Sequence, residues 1–148
     1  MGPALFLRAA ALASSLALAA QGVSGPRPLA GTYWKAIELA GTPVPLQGSS
    51  HEAYLVLQER GRVYGSDGCN RVAGTYQLKH AAVTFGEMAS TRMACIDAGG
   101  IDVAFRDALK SARRLSVAGD HLELLDSSDK RVAIFLAVSS RPADPGIR

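Results

Sequence analysis

The residues whose types and spacing invite a chemical reading fall in two short stretches of this chain. Gly65-Ser66-Asp67-Gly68-Cys69-Asn70-Arg71 holds one of the two cysteines beside a carboxylate, an amide and a tight-turn signal. Ser90-Thr91-Arg92-Met93-Ala94-Cys95 holds the other. The cysteines admit three chemistries: a disulfide, two separately buried thiols, or a metal site. The metal reading is the weakest, because His51, His80 and His121 are scattered and none stands at ligand spacing from a cysteine. Asp67, Asn70, Arg71, Thr91 and Arg92 form a candidate binding surface, with Arg92 as a planar fork for an anionic or peptide ligand. The competing reading is local: Asp67 and Asn70 satisfy backbone groups of their own turn, and Thr91 and Arg92 pin a connection. The local reading is preferred.

No catalytic constellation accompanies them. The chain has no G-x-S-x-G elbow and no HExxH pair. Gly65-Ser66-Asp67-Gly68 leads into a strand pattern, so it lacks the helix N-terminal amides that cradle phosphate. The expectation is a non-enzyme without cofactor.

Compartment decides among the cysteine readings. Arg8 is followed by an apolar, alanine- and leucine-rich run ending in small residues, and Ala17-Leu18-Ala19 fits an A-x-A cleavage site. Residues 1–20 are therefore expected to be a signal peptide. An uncleaved anchor is the alternative, but the run falls short of the ~20 apolar residues that span a bilayer. No cysteine lies near the cut for lipid attachment. The mature protein is expected to be exported, periplasmic or secreted, without a membrane span. In an oxidising compartment a disulfide ranks first. Joining Cys69 to Cys95 would close a loop of about 26 residues and contribute on the order of 3–4 kcal/mol.

The 16 basic and 13 acidic residues are interspersed and the net charge is only +3. A nucleic-acid binder gathers its cations into a stripe, which this chain does not do. Lys110, Arg113 and Arg114 are its one local cluster, and they fit the wet face of a helix. The length suits one domain with its own core, expected to be a monomer.

The elements that must position the two stretches read as mostly sheet. Residues 21–28 are a Gly, Ser and Pro-rich lead-in without structure. Residues 29–39 form a strand carrying Trp34, the only tryptophan. Gly41-Thr42-Pro43-Val44-Pro45 breaks it, since proline cannot donate to a ladder. Strands at 53–58, 62–65, 71–78 and 82–85 follow at hairpin spacing, with Glu59-Arg60-Gly61 turning between the first two. Residues 87–100 show no sheet periodicity. Ile101, Phe105, Ala108, Leu109 and Ala112 then make one apolar helical stripe, with Asp102 early and Lys110 late as the helix dipole prefers. A hairpin over 115–117 and 121–125 and a last strand over 131–138 complete the domain at 29–138. Residues 139–148 are expected to be a disordered tail. The predicted fold is mainly β (α+β): a curled, barrel-like antiparallel sheet of seven or eight strands with one packed α-helix.

The motifs together resemble a META/HslJ-type domain, a family of small, mostly bacterial envelope proteins. The matching residues are Gly31-Thr32 before Trp34, the turn at Gly41, Gly61-Arg62-Val63 before Gly65, Gly68-Cys69-Asn70, Gly74-Thr75-Tyr76, Thr91-Arg92-Met93-Ala94-Cys95, the helix from Asp102 to Leu109, and Leu122-Glu123-Leu124. Leu57, Val72, Ile96 and Asp102 depart from the pattern, in packing or capping and not in chemistry. The resemblance implies a barrel-like sheet crossed by one helix. It also implies an association with envelope stress or drug tolerance and no established catalysis. The expected partner is an envelope protein or a small apolar ligand. The alternative function is inhibition of a hydrolase such as lysozyme through a rigid loop bearing Arg71 or Arg92.

Overall fold

The structure, a computed structural model, describes residues 25–45, 52–95 and 99–139. The expected signal peptide, the loop holding His51, Ile96 and the tail from residue 140 lie outside the described residues.

Among the described residues, ten strands and one α-helix follow in chain order. They are β1 (Tyr33–Leu39), β2 (Thr42–Pro43), β3 (Ala53–Leu57), β4 (Arg62–Asp67), β5 (Arg71–Lys79), β6 (Ala82–Phe85), β7 (Ala89–Ser90), α1 (Ile101–Ser111), β8 (Arg114–Ala118), β9 (His121–Leu125) and β10 (Arg131–Val138). Eight of them, in the order β1-β3-β4-β5-β6-β8-β9-β10, close through a β10–β1 pairing into an antiparallel barrel. This is the expected mainly-β barrel with one helix. The two remaining strands are two residues long: β2 pairs with the end of β1, and β7 with Val72 and Ala73 of β5.

Alternation explains the closure. Trp34 and Ala36 on β1, Leu55 and Leu57 on β3, Leu122 and Leu124 on β9, and Ala133 and Phe135 on β10 are all buried. Most of their neighbours of opposite parity are more exposed, as a period of two requires, although Tyr33 and Val56 are buried as well. Gly65 is a buried residue of β4, and a Cβ there would lie 2.0 Å from the Tyr54 carbonyl oxygen of β3. A side chain of any kind would force those two strands apart.

The barrel is sealed unevenly. β1 and β10 share six residue pairs, with an irregularity between Ala36 and Glu38. β6 and β8 share one pair, Ala82 with Arg114, flanked by backbone bonds from Val83 N–H to Arg113 O (3.0 Å) and Leu115 N–H to Ala81 O (2.9 Å). Between β6 and β8 the chain runs through β7 and α1, and α1 packs on β4, β1 and β10, with smaller contacts to β3, β6 and β9. Phe105, Ala108, Leu109 and Ala112 of the expected stripe are buried, and Ile101 is half-buried. Phe105 meets Phe135 edge-to-face at 6.2 Å, a geometry worth about 1 kcal/mol beyond area burial. Arg113 caps the helix by donating from Nη1 to the carbonyls of Lys110 (2.9 Å) and Ala112 (2.7 Å).

Three local readings change. The first strand begins at Tyr33 and not at 29, because Gly31 turns with φ +79°. Pro43 lies in a paired segment, but only at its two-residue end, where a missing N–H is tolerated. Ala89 and Ser90 form β7 although two residues carry no readable period. Within the expected lead-in, Arg27 is held at the β8–β9 turn, its N–H donating to Gly119 O (3.1 Å) and its Nε pairing with Asp120 (2.6 Å).

Candidate functional site

The two cysteine stretches meet where β4 turns into β5 and β7 runs beside it. Gly68 adopts φ +90°, a conformation that favours glycine, and so lets the chain reverse. Asp67 is 0 % exposed, and its Oδ1 accepts from the backbone N–H groups of Cys69 (3.0 Å) and Asn70 (2.6 Å). Its own N–H donates to Asn70 O at 3.0 Å. This is the local turn chemistry expected of Asp67. Its Oδ2 has no hydrogen-bond partner among the described residues. That oxygen lies 3.7 Å from Nε of Arg106, which also donates from Nη2 to Asp102 at 3.2 Å.

Asn70 is 6 % exposed; its Nδ2 touches Cys69 Sγ at 3.4 Å in its own turn, and its side chain also reaches across to the other stretch. Its Oδ1 accepts from Met93 N–H at 2.6 Å and from the Thr91 hydroxyl at 3.0 Å, while Nδ2 reaches Met93 O at 3.5 Å. Thr91 is held again by Arg71: Arg71 N–H donates to Thr91 Oγ1 (3.0 Å), and Thr91 N–H donates to Arg71 O (3.1 Å). Cys69 and Cys95 close the junction as a disulfide, with Cα atoms 5.7 Å apart. Of the three cysteine readings, the disulfide is therefore the one realised, and it leaves neither thiol to a metal.

The predicted surface divides accordingly. Arg71, Thr91 and Arg92 are exposed. Asp67 and Asn70 are not surface residues: both are buried, Asp67 Oδ1 accepts from two buried backbone N–H groups, and Asn70 bonds across to Thr91 and Met93. Met93, absent from the predicted set, is 58 % exposed with its backbone clamped from behind. An exposed methionine inside an apparently apolar motif gives no sequence signal for that. The contact of Arg106 with Asp67 depends on how α1 packs on β4 and has no signal in spacing.

A separate groove of about 600 Å³ opens beside α1, lined mostly by small apolar residues including Ala40, Val103, Ala104 and Val132, with Asp107 and Ser111 also lining it. Among the described residues no helix is long and apolar enough to cross a membrane. Burial first, and the nearby Glu59 charge second, push the Tyr76 hydroxyl above its ordinary value. That hydroxyl donates to Gln58 O at 2.8 Å.

Fold and site define a small closed barrel, sealed by one helix, with a cross-braced junction that displays two arginines and a methionine. The chain belongs to the META domain family, whose model matches residues 27–139. It is similar to a protein from Burkholderia xenovorans solved by NMR, at 27 % identity, covering 76 % of this chain and 85 % of that one with a TM-score of 0.59. A second protein solved by NMR shares 21 % identity over 71 % of this chain and 88 % of its own, with a TM-score of 0.56. The crystal structure of a DUF4847-family protein from Bacteroides vulgatus shares the fold at 15 % identity, covering 76 % and 96 % of the two chains with a TM-score of 0.59. No curated protein matches the chain.

Proposed function

We propose that the protein is a non-catalytic, exported envelope protein that acts as a binding or interaction module in stress or antibiotic tolerance. The observation that carries the binding role is the junction itself. A buried amide and a disulfide hold a short segment whose Arg92 and Met93 are exposed. Rigid display lowers the ordering cost of association, which is where a small surface gains affinity. The envelope role rests on the family membership and on the expected signal peptide.

A pull-down from intact envelopes, comparing wild type with Arg92→Ala, tests the surface. A partner retained by wild type and lost by the variant is expected; identical partner lists would move binding elsewhere on the barrel. Deletion of the gene is expected to raise sensitivity to envelope stress or hydrophobic antibiotics, and unchanged sensitivity would remove the tolerance role. Inhibition of a hydrolase is the second reading, favoured by the same rigid loop; for lysozyme it is checked by a turbidity assay with purified protein.

A further inference from the structure

We propose that residues 91–95 form a substrate-like loop for an arginine-specific serine endopeptidase, with Arg92 entering the enzyme's primary pocket. This rests on the reading of the junction as the binding surface and names the class of partner.

A loop that such an enzyme binds but does not consume must show one side chain while its backbone is fixed on both sides. Asn70 meets that requirement with one buried atom. Its Oδ1 accepts from Thr91 on one side of Arg92 and from Met93 N–H on the other. The paired backbone bonds between Thr91 and Arg71, and the disulfide at Cys95, anchor the segment further out. None of residues 91–95 has a positive φ, so no residue of the segment is held in the left-handed region. Arg92 is exposed and makes no hydrogen bond or ion pair with another described residue. Its fork suits a carboxylate at the floor of a pocket. Met93, 58 % exposed, offers apolar contact on the far side of the Arg92–Met93 bond.

The chemistry closes on itself. The enzyme's serine oxygen bonds to the Arg92 carbonyl carbon, the Arg92–Met93 C–N bond breaks, and the serine proton passes through the enzyme's base to the Met93 amine. That amine is still held on Asn70 Oδ1, and the acyl side is still held through Thr91. The amine therefore stays poised to attack the acyl carbon, remaking the peptide bond and returning the proton to the serine. No water is consumed and the cleft stays occupied.

The test uses the oxidised protein with trypsin, and with elastase as an enzyme whose pocket does not take arginine. Hydrolysis of a small chromogenic substrate reports inhibition, and mass spectrometry reads the Arg92–Met93 bond. Inhibition of trypsin but not elastase is expected, with that bond largely intact after hours. Arg92→Ala should weaken inhibition about a hundredfold, the size of one buried interface anchor, at an unchanged thermal midpoint. Arg92→Lys should retain inhibition. Asn70→Ala, or reduction of the disulfide, should turn the loop into a substrate that is cut at Arg92. Absence of inhibition at micromolar protein, inhibition indifferent to Arg92→Ala, or rapid cleavage of the oxidised loop would each overturn the proposal. An envelope partner lost with Arg92→Ala while trypsin runs unhindered would remove the endopeptidase and leave the binding surface standing.

Discussion

Two turns of this barrel use the same local device in different surroundings. Between β9 and β10, Asp126 Oδ1 accepts from the N–H groups of Ser128 (2.8 Å) and Lys130 (3.0 Å), while Asp126 N–H donates to Lys130 O (2.9 Å). Between β4 and β5, Asp67 does the same for Cys69 and Asn70. The first turn stands in water and serves itself. The second is buried, and its neighbours are used: Asn70 grips another segment, Cys69 is bonded to Cys95, and the second carboxylate oxygen faces Arg106. An aspartate turn is thus a local event whose value is set by what packs on it.

The largest test of that difference removes the covalent brace. Replacing Cys69 and Cys95 together with alanine should cost about 3.5 kcal/mol in the chain-entropy model for a loop of this length, read by denaturant unfolding under oxidising conditions. A loss below about 1 kcal/mol would mean that the hydrogen bonds around Asn70 hold the junction without help.

Next comes the direct comparison of the two aspartates. Asp67→Ala strips partners from two buried N–H groups and should cost about 3 kcal/mol, whereas Asp126→Ala lets water replace the carboxylate and should cost about 1 kcal/mol. Equal losses in thermal or denaturant unfolding would break the distinction between a buried and a wet turn.

A smaller effect is expected at the far end of β5, where Tyr76 is tethered to Gln58. Tyr76→Phe should cost about 1 kcal/mol at neutral pH. The pH dependence has a definite sign. The folded-state value of Tyr76 is raised, chiefly by burial, so the fold favours the protonated phenol. That contribution is complete below the ordinary tyrosine value of about 10 and is lost as pH rises through the higher folded value. The stability difference between wild type and Tyr76→Phe should therefore shrink in alkali; a difference that grows above pH ~10 would contradict the assignment.

The smallest effect belongs to the displayed residue. Arg92→Ala should change stability by no more than about 0.5 kcal/mol, as for an exposed side chain without structural partners. A larger loss would make Arg92 part of the brace and not part of what the brace presents.

Much of the fold was legible because its signals are local. The apolar run at 53–57, the alternation in 71–79 and 121–125, the turn at Glu59-Arg60-Gly61, and the helical stripe through Phe105 and Leu109 can all be read within a dozen residues. The turn role of Asp67 was legible for the same reason. The clamp by Asn70 was not, since its partners lie more than twenty residues away and an asparagine after a turn reads as a turn residue. β7 was not legible either, because its pairing with Val72 and Ala73 comes from the docking of a short segment and leaves no period.

The sequence by itself determined the strand and helix pattern, the turn chemistry and the presence of two cysteine-bearing motifs, because each follows from short-range sterics and the burial of one face. Only the tertiary structure decided how the barrel closes, with β10 on β1 and a single pair at the β6–β8 seam. It also decided that Asp67 and Asn70 turn inward while Arg92 and Met93 turn outward. Those outcomes depend on contacts between segments distant in the chain, where the same residue types could equally have been surface or core.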